Sequence, residues 1–194
     1  MTLRQVAVLL AVIGFFSGEA DARRKSKKPR RQFDAHVHGE AQIGIVRDAN
    51  SIQIELATPA EGIFGFEHQP ANDEQKNILK TQKAKLEAAG LKFVKIDAQY
   101  GCKQESVDLD IQLAQIRRSK KDERRGVPVK ESYKGHGDVK AIFVVSCSKG
   151  LNGAKAQVQV SHLFPRVKKT KILYLSDKRQ SSNVITSGSF QLNL

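Results

Sequence analysis

Two histidines spaced one residue apart, His36 and His38, are the residues in this chain best suited to chemistry. Histidine is scarce here, with five in 194 residues. In an extended segment residues i and i+2 point to the same face, so the two imidazoles can share one metal ion. Zinc accepts imidazole nitrogen readily. A structural site needs further ligands. His68, in Gly65-Phe66-Glu67-His68, is the first candidate, because the glycine-containing segment ahead of it can turn it back to the strand start. His136 is the second, because His136-Gly137-Asp138 mirrors His38-Gly39-Glu40. Asp34, Glu40 and Glu67 are the oxygen donors within reach. His162, in an apolar stretch before Phe164-Pro165, reads as structural. The plainer alternative is two surface histidines at the start of a strand.

Catalysis has less support. The sequence contains no HExxH and no Gly-x-Ser-x-Gly. His-X-His also opens many metal-dependent amidohydrolases, but those need a large β/α barrel, and this chain is too short and does not alternate β and α. A metal hydrolase would need an open coordination position and a general base such as Glu40 or Glu67. No catalytic residue is expected. Cys102 and Cys147 are the two cysteines. In an exported chain an even count suggests a disulfide. It would close a loop of about 46 residues, worth roughly 4 kcal/mol in the chain-entropy model. A buried thiol pair and metal ligation are the alternatives.

Export is expected from residues 1–22, which have the three parts of a cleavable signal peptide. Met1 to Arg4 carries one positive charge, Val6 to Phe16 is an apolar run of eleven residues, and Ala20-Asp21-Ala22 offers small residues at the cleavage positions. A membrane span needs about 20 apolar residues, roughly twice this run. The formal charge is +13, and removing the signal, with Arg4 against Glu19 and Asp21, leaves +14. The excess is concentrated in three stretches: Arg23 to Arg31, Arg117 to Lys134 and Arg166 to Arg179. Such runs attract anionic surfaces or remain solvated. Nucleic acid is the least suited partner, since no tryptophan is present and no aromatics interleave the basic runs.

The elements that must position these residues are mostly strands. Residues 23–32 read as a basic disordered arm. Ala41 to Val46 and Ser51 to Ala57 read as strands around a turn at Asp48-Ala49-Asn50; Ile52, Ile54 and Leu56 alternate with polar residues. Asn72, followed by Asp73, Glu74 and Gln75, predicts a capped helix that ends before Gly90. Leu91 to Ile96, Ser106 to Leu113, Val139 to Cys147, Lys171 to Leu175 and Ile185 to Leu194 read as strands, with Cys102 in a turn. Ala156 to Phe164 fits a helix or a strand. The fold class is α+β, with antiparallel strands and few helices. Residues 33–116 and 135–194 read as two similar β-rich halves joined by a long basic loop, 117–134.

The segments "DAHVHGEAQIGIV", "IQIELATPAEGIFGFEHQPANDEQK" and "HGDVKAIFVVSC" together resemble the ZrgA-type family of periplasmic zinc-binding proteins, from about Asp34 to the C-terminus. The resemblance implies an α+β domain outside the cytoplasm that binds zinc and assists a zinc-uptake system, without enzymatic activity. It places His36, His38 and His68 on the family's histidines, with His136 as a looser match. One departure stands out: the central loop, often histidine-rich in such proteins, is basic here and has no histidine. The reading is therefore a periplasmic zinc-binding protein with a metal set of His36, His38, His68 and His136, and a Cys102–Cys147 disulfide. Its expected partners are zinc and a zinc-uptake transporter component. The alternative is an envelope interaction protein whose basic arm and loop dock on anionic lipid or a protein.

Overall fold

The computed structural model describes residues 37–117 and 132–194. The expected signal peptide, the basic arm, Asp34, His36 and most of the basic loop lie outside the described residues. Strands β1 (Glu40–Asp48) and β2 (Ser51–Pro59) form the first hairpin. Helices α1 (Ala60–Phe64), α2 (Asp73–Glu87) and α3 (Gly90–Phe93) follow, then β3 (Val94–Ile96), β4 (Cys102–Gln112) and β5 (Gln115–Arg117). The ends of the expected basic loop pair as strands, β5 with β6 (Ser132–Lys134), and then come β7 (Asp138–Cys147), β8 (Lys155–Val158), β9 (Lys169–Leu175), β10 (Gln180–Ile185) and β11 (Phe190–Asn193).

Six strands form the main sheet in the order β10-β9-β1-β2-β7-β4, and β11-β8-β3 form a smaller one. Every pairing in the main sheet is antiparallel except β1 with β9. The expected α+β class with mainly antiparallel strands and few helices is what is observed. The strands from before and after the basic loop share this sheet, because β7 pairs with β2 and β9 with β1.

Alternation explains the sheet. Ile43 and Ile45 on β1, Ile52, Ile54 and Leu56 on β2, and Val139, Phe143 and Val145 on β7 are fully buried on one face. Phe64, Leu86, Phe93 and the small sheet's Val94, Ala156 and Val158 complete the same core. Each such aliphatic or aromatic side chain contributes roughly 1.5–3 kcal/mol on burial. The opposite face carries Val46, Val144, Leu173, Leu175 and Val184, all exposed.

The Asn72 cap forms as expected: its side chain accepts from the Gln75 backbone N–H at 2.9 Å, and the Gln75 side chain accepts from the Ala71 N–H at 2.8 Å. Several boundaries differ from expectation. Gly90 does not follow α2 as a cap but opens α3, where its N–H donates to the Gln104 side chain at 3.0 Å. Leu91 to Ile96 is therefore helical for its first half. Cys102 begins β4 rather than sitting in a turn, directly opposite Cys147. Ile185 to Leu194 is broken between β10 and β11. Among the described residues no helix is long and apolar enough to cross a membrane.

Candidate metal centre

One end of the main sheet gathers the histidines. Strands β1 and β7 run in the same direction with β2 between them, so their first residues lie at the same end, roughly 10 Å apart. His38 precedes β1 and His136 precedes β7. Strand β2 ends at this same edge with Pro59, and the short helix α1 reverses the chain. Gly65 caps that helix with φ +83°, a left-handed conformation that favours glycine. The chain then runs through Phe66, Glu67 and His68 between the two strand starts.

Glu67 is where the two histidines meet. Its Oε1 lies 2.9 Å from His38 Nε2, and its Oε2 lies 3.3 Å from His136 Nδ1. The three ligand atoms of His38, Glu67 and His136 all lie within 4.8 Å of one another. The Glu67 side chain is largely buried, at 17% exposure, while the imidazoles are 61% and 68% exposed. The carboxylate is thus fixed and the imidazoles open to solvent. Its backbone is held too: the Glu67 carbonyl accepts the Ala114 N–H at 2.7 Å, and Gln69 donates to the Ala114 carbonyl at 3.0 Å. The neighbouring carbonyls are also used. Gly39 accepts from Lys168 and Lys169, at 2.7 and 3.0 Å, and Gly137 accepts from Ala60 at 2.8 Å.

These residues fit zinc. Ligand bonds of about 2.0–2.2 Å in a tetrahedral shell put ligand atoms roughly 3.4 Å apart. The observed group, with its ligand atoms within 4.8 Å of one another, is of that scale, and both imidazoles are largely exposed. A carboxylate only accepts hydrogen bonds, so an imidazole nitrogen that is hydrogen-bonded to it is one that bears a proton in that tautomer. A metal needs such nitrogens bare. Loading therefore either releases protons or moves them to the far ring nitrogen.

The structure brings together two of the four expected histidines, His38 and His136, with Glu67. His36 lies outside the described residues. His68 is next to the group but is not one of the three converging residues. Phe66 is buried and its ring lies 5.4 Å from that of His68, while Glu67, between them, turns toward His38 and His136. His68 makes only an isolated bridge to Ala114, outside any strand. The His68 Nδ1 lies 2.8 Å from the Gln69 carbonyl oxygen. Among the other oxygen donors weighed, Glu40 pairs with Lys169 at 2.8 Å. The sequence signal for Glu67 was the buried Phe66: its neighbour had to face the other way.

Fold and site together describe a β-rich α+β protein with a two-histidine, one-carboxylate group that could hold a metal ion. The chain belongs to the ZrgA family: residues 35–194 match the family described as ZrgA family zinc uptake protein. No curated protein matches the sequence.

Proposed function

We propose that this protein binds zinc outside the cytoplasm and assists zinc acquisition, with His38, Glu67 and His136 at the centre of one metal site. The observation that carries the reading is the meeting of three ligand groups, from segments far apart in sequence, at one carboxylate. The family's zinc-uptake description supports zinc as the ion. The disulfide suits an oxidising compartment, and the character of residues 1–22 supports export to the periplasm. The role is binding, with no catalytic step. A zinc-uptake transporter component is the partner such a role calls for.

Three protein ligands leave one tetrahedral position. His36, two residues ahead of His38, and His68, next to Glu67, are its two candidates. Calorimetric titration of the purified protein with Zn²⁺ tests the proposal. One zinc per chain is expected, with that binding lost in a His38→Ala/His136→Ala double variant. Stoichiometry well below one, or wild-type affinity in the double variant, would overturn it. Whichever of His36→Ala and His68→Ala weakens binding identifies the fourth ligand; an effect of neither assigns that position to water.

A further inference from the structure

We infer that Gly137 is a positioning residue for the metal centre, and that its lack of a side chain brings His136 into register with Glu67. This rests on the zinc-binding reading above. A Cβ placed on Gly137 would be driven into the Glu67 carbonyl oxygen, and would lie 3.0 Å from both the Glu67 carbonyl carbon and the Ala60 Cβ. Two of these are backbone atoms that cannot swing aside. The Glu67 carbonyl is also held by the Ala114 N–H, and Gly137 is tied to Ala60 through its own carbonyl. The crowding is relieved only if the start of β7 and the Glu67 segment separate.

That separation acts directly on the site. His136 is the residue before Gly137, and its Nδ1 is 3.3 Å from Glu67 Oε2. Restoring ordinary contact at position 137 opens the gap by about 1 Å, enough to spoil a site that must be held within about half an ångström. Gly39, the glycine after the other histidine, has a different reason to be glycine. It adopts φ +74°, and a Cβ there would meet nothing closer than 3.5 Å. The two His-Gly pairs therefore place their imidazoles differently: Gly39 by its backbone conformation, Gly137 by close approach.

The test compares Gly137→Ala with Gly90→Ala in the full chain. Gly90 is also crowded: a Cβ there would lie 2.6 Å from Gln104 Oε1 and 3.1 Å from Phe143. Phe143 lies within β7, seven residues on from His136, so Gly90→Ala controls for lost packing away from the site. Zinc affinity, thermal midpoint without metal, and the visible absorption of the cobalt-loaded protein are measured for each. Gly137→Ala should weaken zinc at least tenfold and alter the cobalt spectrum, while Gly90→Ala lowers the midpoint and leaves both metal readouts unchanged. Should Gly137→Ala fail to fold, the Gly137→Ala/Ala60→Gly double variant removes the contact with Ala60, keeps the clash with Glu67, and is expected to show the same metal defect. Zinc affinity within twofold of wild type in a folded Gly137→Ala chain, or an equal loss in Gly90→Ala, would overturn the inference. If wild type itself binds no zinc, the zinc-binding reading fails and takes this inference with it.

Discussion

Replacing Glu67 with glutamine isolates the charge at the centre of the site. The Glu67→Gln variant would keep the side-chain volume, and its amide oxygen could still accept from one imidazole, so the change removes mainly the negative charge. Two unit charges on zinc against one on a carboxylate, about 2.1 Å apart, attract by roughly 4 kcal/mol even at the dielectric of water. Water's value sets the lower bound, because the imidazoles are largely exposed while the Glu67 side chain is only 17% exposed. At about 1.4 kcal/mol per decade this is close to three decades of affinity. Part is offset by the carboxylate's own hydration, so calorimetry should show zinc bound about 100- to 1,000-fold more weakly. Stability without metal should barely move. Among the described residues Glu67 pairs with two exposed histidines, and pairs with exposed partners contribute about 0–1 kcal/mol each. In a chain of this size that shifts the thermal midpoint by about 2–4 °C at most. A zinc affinity within fivefold of wild type would refute the role of Glu67 as a ligand. A fall in the metal-free midpoint of more than about 10 °C would instead make it chiefly a structural clamp.

Acidification tests the ligand count. Two imidazole ligands compete with two protons, so well below the ordinary imidazole range the zinc affinity should fall about 100-fold per pH unit, and about 1,000-fold if a third histidine fills the remaining position. A fall of only tenfold per unit, measured by titration across that range, would mean a single histidine. Reducing the Cys102–Cys147 disulfide, which spans 45 residues of sequence, should cost about 4 kcal/mol and lower the melting midpoint by roughly 8–16 °C in a calorimetric scan; an unchanged midpoint would show that the reduced chain is already constrained. Arg47 is buried in β1, with its guanidinium bonded to Asn152 at 3.0 Å and Asp177 at 3.2 Å, and its Nε lacks a partner among the described residues. Denaturant melts should therefore show Arg47→Met neutral or stabilising and Asp177→Ala destabilising by about 1 kcal/mol; a large loss in Arg47→Met would contradict this.

Much of the sheet was legible because its strands are half-buried. Ile52, Ile54 and Leu56 alternate with polar residues, and that period is the signal that β2 carries. The same logic explains what was missed. Strand β10 is Gln-Ser-Ser-Asn-Val-Ile at the edge of the sheet, with no residue fully buried, so its composition resembles a loop. Its regular pairing with β9 is a property of the neighbour. The start of the expected strand at Leu91 failed for a different reason. Leu91 and Phe93 suit a strand or a helix turn equally well, and the choice was made by Gln104, whose side chain accepts from Gly90 and donates to the Glu87 carbonyl. A contact across fourteen residues leaves no mark on local periodicity.

The site was legible to the same degree, and for a related reason. The repeated His-Gly-acid motif marks two strand starts, and β2 lying between β1 and β7 makes those starts neighbours in space. Sequence alone does not show that neighbourhood, since it depends on β7 pairing with β2 across the whole intervening chain. It ranks His68 ahead of Glu67, because histidine is the better zinc ligand by type, whereas Glu67 is the one of the two that joins His38 and His136. Phe66 must enter the core, so Glu67 faces the strand ends and His68 faces with Phe66. The convergence of Glu67 with His38 and His136 at this end of the sheet therefore follows from a packing decision one residue away, and moving that hydrophobic anchor by one position would exchange the carboxylate for an imidazole.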